Sequence, residues 1–312
     1  MTARWSVGIT AVAVGLGTMI ATAMSLLSRT SWLFDIAANF RFQYLWIGGL
    51  ALAALAWNRW WGWFGLVALA AVINLAAVAP YWTSSIAEPA GEARLHITHL
   101  NTLASNRDFD AIIDLIRTSQ SDLVFLAEVT PALQDAIAEA DLPYAAVTGT
   151  PERTRIGILA LARDQSATGR LTNLGVSEVP AVLVNTTLGD QPVTILSFHT
   201  SSPGEEHRAA DRDDQLAAAA SLVDQRDVPM VLVGDFNATP WTPAFRELLD
   251  AGLVDAQRGR GVAGSWPAGW GPFKIPIDHL LHTPELTTTG FEFGPSAGSD
   301  HRSLNVTIAP AA

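Results

Sequence analysis

Residues 231–240, VLVGDFNATP, carry the reading that decides the fold. Residues 230–233 are a short apolar, β-branched run, the composition of a buried strand. Gly234 ends the run, and Asp235 and Asn237 stand two apart, so in an extended segment they project to one side. A carboxylate and a neutral amide thus meet at the end of a core strand, where α/β proteins keep their chemistry. Thr239-Pro240 and Thr242-Pro243 each offer an N-cap followed by an N1 proline, predicting a helix that runs to about Leu249. Taken alone, the stretch would equally serve as an Asx-rich turn without chemistry.

The same pattern of apolar run and polar end recurs on both sides. Residues 95–100 alternate as a strand and end at Asn101; residues 123–127 form a buried strand with Glu128 at its end. Residues 156–162, 179–187 and 193–198 read as further strands, the last ending at His199. Residues 277–281, with Asp278 near the start, and 304–308, preceded by Ser299-Asp300-His301, complete the set. Helices are expected after Asp108, after Thr130-Pro131 and over residues 205–224. Strands outnumber helices and several follow one another directly. That predicts a mixed-sheet α/β sandwich with flanking helices rather than a doubly wound sheet.

If these strand ends converge, Glu128, Asp235 and Asp300 concentrate negative charge that a cation must hold together. Oxygen ligands in a chain without cysteine suit Mg²⁺ or Mn²⁺. His199 and His301 add groups that move protons near neutral pH. Singly, each has a bland explanation, such as a helix-start carboxylate, a core histidine or a strand-edge charge. All of them at strand ends are harder to explain that way.

In this order, Asn101, LVFLAEV (Glu128), SFHTSSPG (His199), VLVGDFNATP (Asp235, Asn237), IDHLL (Asp278) and GSDHRSL (Asp300, His301) resemble the endonuclease/exonuclease/phosphatase superfamily, the DNase I-like fold. GDFN alone is a weak signal; the ordered set, spread over residues 94–308, is specific. The resemblance implies a four-layer α/β sandwich and metal-dependent phosphoester hydrolysis. It implies that Glu128 holds the metal with Asn101 and Asp300 nearby, and that Asp278 orients His301. A mechanism consistent with these residues has His301 or Asp235 activating a water, with Asn237 and His199 donating hydrogen bonds to the charge that develops. Histidine at 199 is similar to the branch with DNase I, sphingomyelinases and inositol-phosphate phosphatases. Abasic-site endonucleases have tyrosine there, which sets that activity aside. Glu152 is a partner for His199 by position alone.

The front of the chain is a different material. Of the 312 residues, 49% are hydrophobic and only 16% charged, too oily for an ordinary soluble protein. Residues 5–27 and 60–81 are uncharged runs, long enough at ~1.5 Å per residue to cross ~30 Å of hydrocarbon. Residues 44–57 are apolar but short and must borrow from 40–43, with Arg41 snorkelling. Three transmembrane helices are therefore expected within residues 1–82, then a linker over 83–93 and a catalytic domain over 94–312. Asn74 is read as a packing hydrogen bond between helices with no charged partner, and Tyr81 and Trp82 as interfacial aromatics. Arg4 with an apolar run and Ala21-Thr22-Ala23 resembles a signal segment, which places the catalytic domain outside the cytoplasm of a multi-pass protein of the cell membrane.

Beyond Glu92 the chain has 15 basic and 27 acidic residues, net −12, so no broad basic field exists to hold a nucleic acid. The partners expected are the lipid bilayer and a phosphorylated, lipid-linked substrate. A membrane-tethered nuclease and a non-catalytic membrane-anchored binding module are the alternatives. Three spans before such a domain also resemble the membrane-bound teicoplanin-resistance proteins of actinomycetes. Trp266, Trp270 and Phe273, in the glycine- and proline-rich loop 259–276, are expected near the catalytic cluster, with Trp266 capping the core and the other two forming a lip.

Overall fold

The computed structural model describes residues 2–175 and 179–312. Helices α1 (Thr2–Leu26), α3 (Arg41–Asn58) and α4 (Trp61–Val78) pack together, with short α2 (Trp32–Ala38) between the first two and α5 (Pro80–Thr83) after the last. Small residues set their spacing: a Cβ on Gly15 would stand 2.6 Å from a Val67 methyl. By length and composition two of these helices, over Ala3–Leu26 and Trp61–Val78, are apolar enough to cross a membrane. The expected third, α3, carries Arg41 and Gln43 in its first turn and does not meet that measure. Arg41 does not snorkel. It is buried, donating to the Ser25 carbonyl at 3.0 Å and to Asn74 Oδ1 at 3.4 Å. Asn74 also donates to Thr22 at 2.8 Å, so it is an interhelical hydrogen bond with a charged partner.

The remainder follows the order β1 (Leu95–Asn101), α6 (Phe109–Ser119), β2 (Leu123–Ala127), α7 (Pro131–Glu139), β3 (Ala145–Thr150), β4 (Ile158–Ala162), β5 (Thr168–Asn173), β6 (Pro180–Leu188) and β7 (Gln191–His199). It continues with α8 (Glu206–Asp224), β8 (Met230–Asp235), α9 (Pro243–Asp250), β9 (Val254–Asp255), β10 (Asp278–His282), β11 (Leu286–Phe293) and β12 (Leu304–Pro310). The strands form two six-stranded sheets, ordered β11-β12-β1-β2-β4-β3 and β5-β6-β7-β8-β10-β9. Leu95, Ile97, Phe125, Ile195, Val231, Val233 and Leu280 share one core between the sheets. The outer face of the first sheet is covered by Ile112, Ile116 and Leu133 of α6 and α7, that of the second by Leu216, Val223 and Phe245 of α8 and α9. Helix, sheet, sheet and helix make the expected four layers.

The period-two alternation of strands places the chemistry. In β8, Val231 and Val233 face the other sheet, and Asp235 continues that face. Ile97 is followed by His99 and Asn101 in β1, Ile195 by Ser197 and His199 in β7, and Asp278 precedes Leu280 in β10. Parallel pairing sets His199 beside Asp235, and antiparallel pairing sets Asp278 on the other side of it. The polar ends therefore meet where the inter-sheet core runs out.

The segment expected to be a linker lies along the β11–β12 edge. The Ala90 N–H bonds to the Pro310 carbonyl, Ala312 N–H to the Glu88 carbonyl, and Thr287 to the Ala87 carbonyl. Tyr81 is not interfacial: it is buried against Trp241 and donates to Asp255 at 2.6 Å.

Candidate active site

Asn101, Glu128, His199, Asp235, Asn237, Asp300 and His301 all line one cavity of about 610 Å³. Asp278, the eighth expected residue, lies directly behind it, buried and bonded to His301. A separate cavity of about 410 Å³, lined by His96, Thr118 and Glu292, contains none of them.

Asp235 is the centre of the cluster. Its Oδ2 accepts from Asn101 Nδ2 at 3.0 Å and lies 3.4 Å from His199 Nε2 and 3.7 Å from His301 Nε2. Its Oδ1 accepts the Asn237 N–H at 3.0 Å. Asn237 has a φ of 46°, so the segment turns here instead of running extended. The Asx turn and the functional reading of GDFN are the same structure: the turn is what brings Asn237 back over Asp235. Asn237 Nδ2 also donates to the Thr200 carbonyl at 3.0 Å.

His301 stands between two carboxylates. Its Nδ1 meets Asp278 Oδ2 at 2.8 Å, which leaves Nε2 facing the cavity. Asp278 Oδ1 meets His99 Nε2 at 3.2 Å, and Ser265 Oγ accepts the Asp278 N–H. Burial alone would raise the Asp278 carboxyl, but His301 and His99 hold it well below the usual carboxylate range. Burial likewise opposes charge on His301, yet Asp278, Asp235 and Asp300 around it hold its pKa well above the ordinary imidazole value. The pair is an imidazolium set on a carboxylate.

His199 Nδ1 bonds to the Arg155 carbonyl at 3.1 Å, so the expected Glu152 is not its partner; Glu152 is exposed in the preceding turn. On the other side, Glu128 has a φ of 56°, accepts the Ala104 N–H on Oε2 at 2.9 Å and Asn101 Nδ2 on Oε1 at 3.3 Å. Asp300 Oδ2 accepts Trp266 Nε1 at 3.0 Å, while its Oδ1 is inaccessible and has no hydrogen-bond partner among the described residues. Trp266 thus lines the cavity rather than capping a core.

Asp300 Oδ1 lies 4.0 Å from His301 Nε2 and, without a hydrogen bond, shares the cavity with Glu128 and Asn101; oxygen donors of this kind fit a divalent cation. Asp235, Asp278 and His301 also bring ligand atoms within 4.8 Å of one another. Both oxygens of Asp278 already face histidines, and it is 1% exposed.

Residues 98–301 match the endonuclease/exonuclease/phosphatase family. The chain belongs to that family. The fold of this endonuclease/exonuclease/phosphatase domain is shared with solved structures of low sequence identity. A humanized D. rerio TDP2 has 14% identity and a TM-score of 0.59 over 70% of this chain and 99% of its own. An endonuclease/exonuclease/phosphatase from Bacteroides vulgatus has 15% identity and a TM-score of 0.57 over 70% and 100%. One from Beutenbergia cavernae has 18% identity and a TM-score of 0.54 over 71% and 72%. No curated protein matches the chain in sequence.

Sequence reasoning missed three parts of this site. His99 was signalled by standing two before Asn101 on one strand face. Trp266 is expected to cap the core and Trp270 with Phe273 to form the lip, but it is Trp266 that lines the cavity, and Trp270 and Phe273 do not. The third part is the least expected: Ile36, Asn39 and Phe40, from α2 and the turn after it, line the same cavity. Nothing near residue 36 in sequence points to a site more than sixty residues away.

Proposed function

We propose that this family member is a membrane-anchored hydrolase that uses Mg²⁺ or Mn²⁺ to cleave a phosphoester or pyrophosphate bond of a lipid-linked substrate. The observation that carries the lipid reading is the cavity wall: Ile36 and Phe40, in the segment that follows the first apolar helix, line the cavity that holds Asp235 and His301. A soluble core helix is mostly buried, whereas the most apolar windows of α1 and α4 are only 28% and 22% buried. Leu66, Leu69, Val72 and Leu75 point outward from α4, as lipid-facing residues do. We read α3 as the third span, its Arg41 satisfied inside the bundle. Trp270 and Phe273 are 65% and 54% exposed, and the neighbouring Lys274 carbonyl accepts a hydrogen bond from Gln43 of α3. That bond ties the loop carrying the two exposed rings to α3, and we read the rings as interfacial aromatics.

Asn101, Glu128 and Asp300 would hold the cation, which when bound neutralises phosphoryl oxygens and the leaving oxygen. The protein's own groups do the rest. Asp235, fixed by Asn101 and the Asn237 N–H, orients a water and takes its proton as the water oxygen bonds to phosphorus. The opposite phosphorus–oxygen bond breaks, and the leaving oxygen takes up a proton from solvent. His301 as an imidazolium and the second Nδ2–H of Asn237 donate to the charge on the phosphoryl group. Arg155 and Arg208 line the same cavity and suit an anionic substrate.

The test is hydrolysis by the full-length protein in detergent, with Mg²⁺ or with excess chelator, read as the product each substrate gives: phosphate from a long-chain polyprenyl diphosphate, the freed alcohol from a short soluble phosphodiester, and shortened strands from DNA. Hydrolysis is expected to vanish in chelator and to be fastest on the polyprenyl substrate. Trp270→Ala with Phe273→Ala should slow the long-chain reaction more than the short one. Full activity in chelator, or faster cleavage of DNA, would overturn the reading.

A further inference from the structure

The loop that carries Asn237 is held from outside the catalytic domain. Asp35 of α2 is 5% exposed and Arg212 of α8 is 0% exposed, and they pair at 2.7 Å across the boundary between the helices and the sandwich. The same guanidinium donates from its other terminal nitrogen to the Asn237 carbonyl at 3.4 Å. Two residues on, the Thr239 N–H donates to Asn39 Oδ1 at 3.0 Å, and Asn39 Nδ2 bonds back to the Asp35 carbonyl at 3.2 Å. Asn237 has a left-handed backbone, which asparagine tolerates in a turn and which the bonds around it fix here. Its N–H is taken by Asp235, its amide by Thr200, its carbonyl by Arg212, and the chain just beyond it by Asn39.

We propose that Asp35 and Asn39 are positioning residues for hydrolysis: through Arg212 and Thr239 they hold Asn237 over Asp235, so full activity requires α2 to be seated on the catalytic loop. This rests on the hydrolase reading above and adds a control that no residue of the catalytic domain supplies alone. With α2 displaced, Arg212 keeps Asp213, whose side chain is half exposed, as its remaining ionic partner, and no bond from α2 or its C-cap fixes Arg212 or residue 239. The loop then samples conformations in which Asn237 no longer donates to the phosphoryl group. The cavity also loses the wall made by Ile36 and Phe40.

Two variants remove the contacts with little change of shape: Asp35→Asn removes the charge, and Asn39→Leu removes the acceptor. Asn39→Asp keeps an acceptor oxygen for the Thr239 N–H. Arg29→Ala is the control, since Arg29 reaches the sandwich only through an exposed pair with Glu247 at 3.7 Å. Two readouts apply to the full-length protein in detergent: kcat and KM for bis(4-nitrophenyl) phosphate with Mg²⁺, and hydrogen exchange of residues 235–242. Asp35→Asn and Asn39→Leu are expected to lower kcat at least tenfold, with KM within about twofold, and to speed exchange of 235–242 severalfold. Arg29→Ala should stay near wild type in both, and Asn39→Asp, which keeps the acceptor for Thr239 but loses the bond to the Asp35 carbonyl, should fall between wild type and Asn39→Leu. Unchanged kcat and exchange in Asp35→Asn and Asn39→Leu, or equal losses in Arg29→Ala, would overturn the proposal. A wild-type protein that hydrolyses no phosphoester would instead remove the hydrolase reading, and the exchange measurement would still report whether α2 holds the loop.

Discussion

Asp235 brings together the hydrogen bonds and charges of the site, and its role can be tested without disturbing the fold. Asp235→Asn keeps the shape and removes the charge that takes a proton from water, while His301→Ala removes the imidazolium set on Asp278. Each should lower kcat by about 10²–10⁴, the usual range for a proton-transfer group, with the circular dichroism spectrum unchanged. An Asp235→Asn protein within threefold of wild type would take Asp235 out of the chemistry. Other histidines act on stability. Burial holds the pKa values of His279 and His282 below the ordinary imidazole value. Below about pH 6.5 the unfolded chain binds protons there that the folded chain does not. Their contribution is therefore complete above that pH and is lost as pH falls, by at most ~1.4 kcal/mol per pH unit for each histidine. His301 runs the other way, its contribution complete below about pH 6.5 and lost as pH rises through its raised folded value. Denaturant titrations between pH 7 and 5 should show a shallower loss of stability in His282→Gln than in wild type; parallel slopes would exclude His282 as a source.

Among the strands, burial decided what could be read. The eight strands expected from the sequence are the eight inner strands of the two sheets, and the four it did not reveal, β3, β5, β9 and β11, are the four edges. An inner strand carries an apolar run, as β2 and β8 do, or an apolar alternation, as β1 and β12 do, whereas an edge such as β5, TGRLTN, is largely exposed and carries neither. The inner pair β7–β8 also shows why GDFN begins with glycine. A Cβ on Gly234 would lie 1.8 Å from the Phe198 carbonyl oxygen, in the register step just before His199 meets Asp235. Gly234→Ala must push the two strands apart, so it should cost about 3 kcal/mol or more and reduce activity in whatever fraction folds. Wild-type thermal stability in that variant would contradict the close approach.

The helices at the front and the sandwich make one packed body rather than two beads on a string. Tyr81 reaches Asp255, Gln43 reaches Lys274, Asn39 reaches Thr239, and Asp35 reaches Arg212. All four contacts lie at one end of the helix bundle, so α2 and the catalytic cavity share a side of the membrane in the reading proposed here. The signal-like first segment favours the outer side. An alkaline phosphatase fused after Ala312 should then be active in intact cells and a cytoplasmic reporter inactive; the opposite pattern would invert the orientation.

Local chemistry determined the inner strands, the helix starts at Asp108, Thr130 and Thr242, and the polar residue at each strand end, because apolar periodicity, capping and turn residues act over a few positions. The resemblance of the ordered motifs supplied the family and the order of its site residues. Tertiary structure alone decided that Asp278 stands behind His301 with His99 on its other oxygen. It also decided that the Arg155 carbonyl, and not Glu152, supports His199, and that Arg41 is buried instead of reaching for the interface. It alone placed Ile36, Asn39 and Phe40 in the wall of the cavity. Those contacts join residues from tens to some two hundred positions apart, and each depends on how helices and sheets dock. A buried Asp35 has no reason to be buried until Arg212 is beside it.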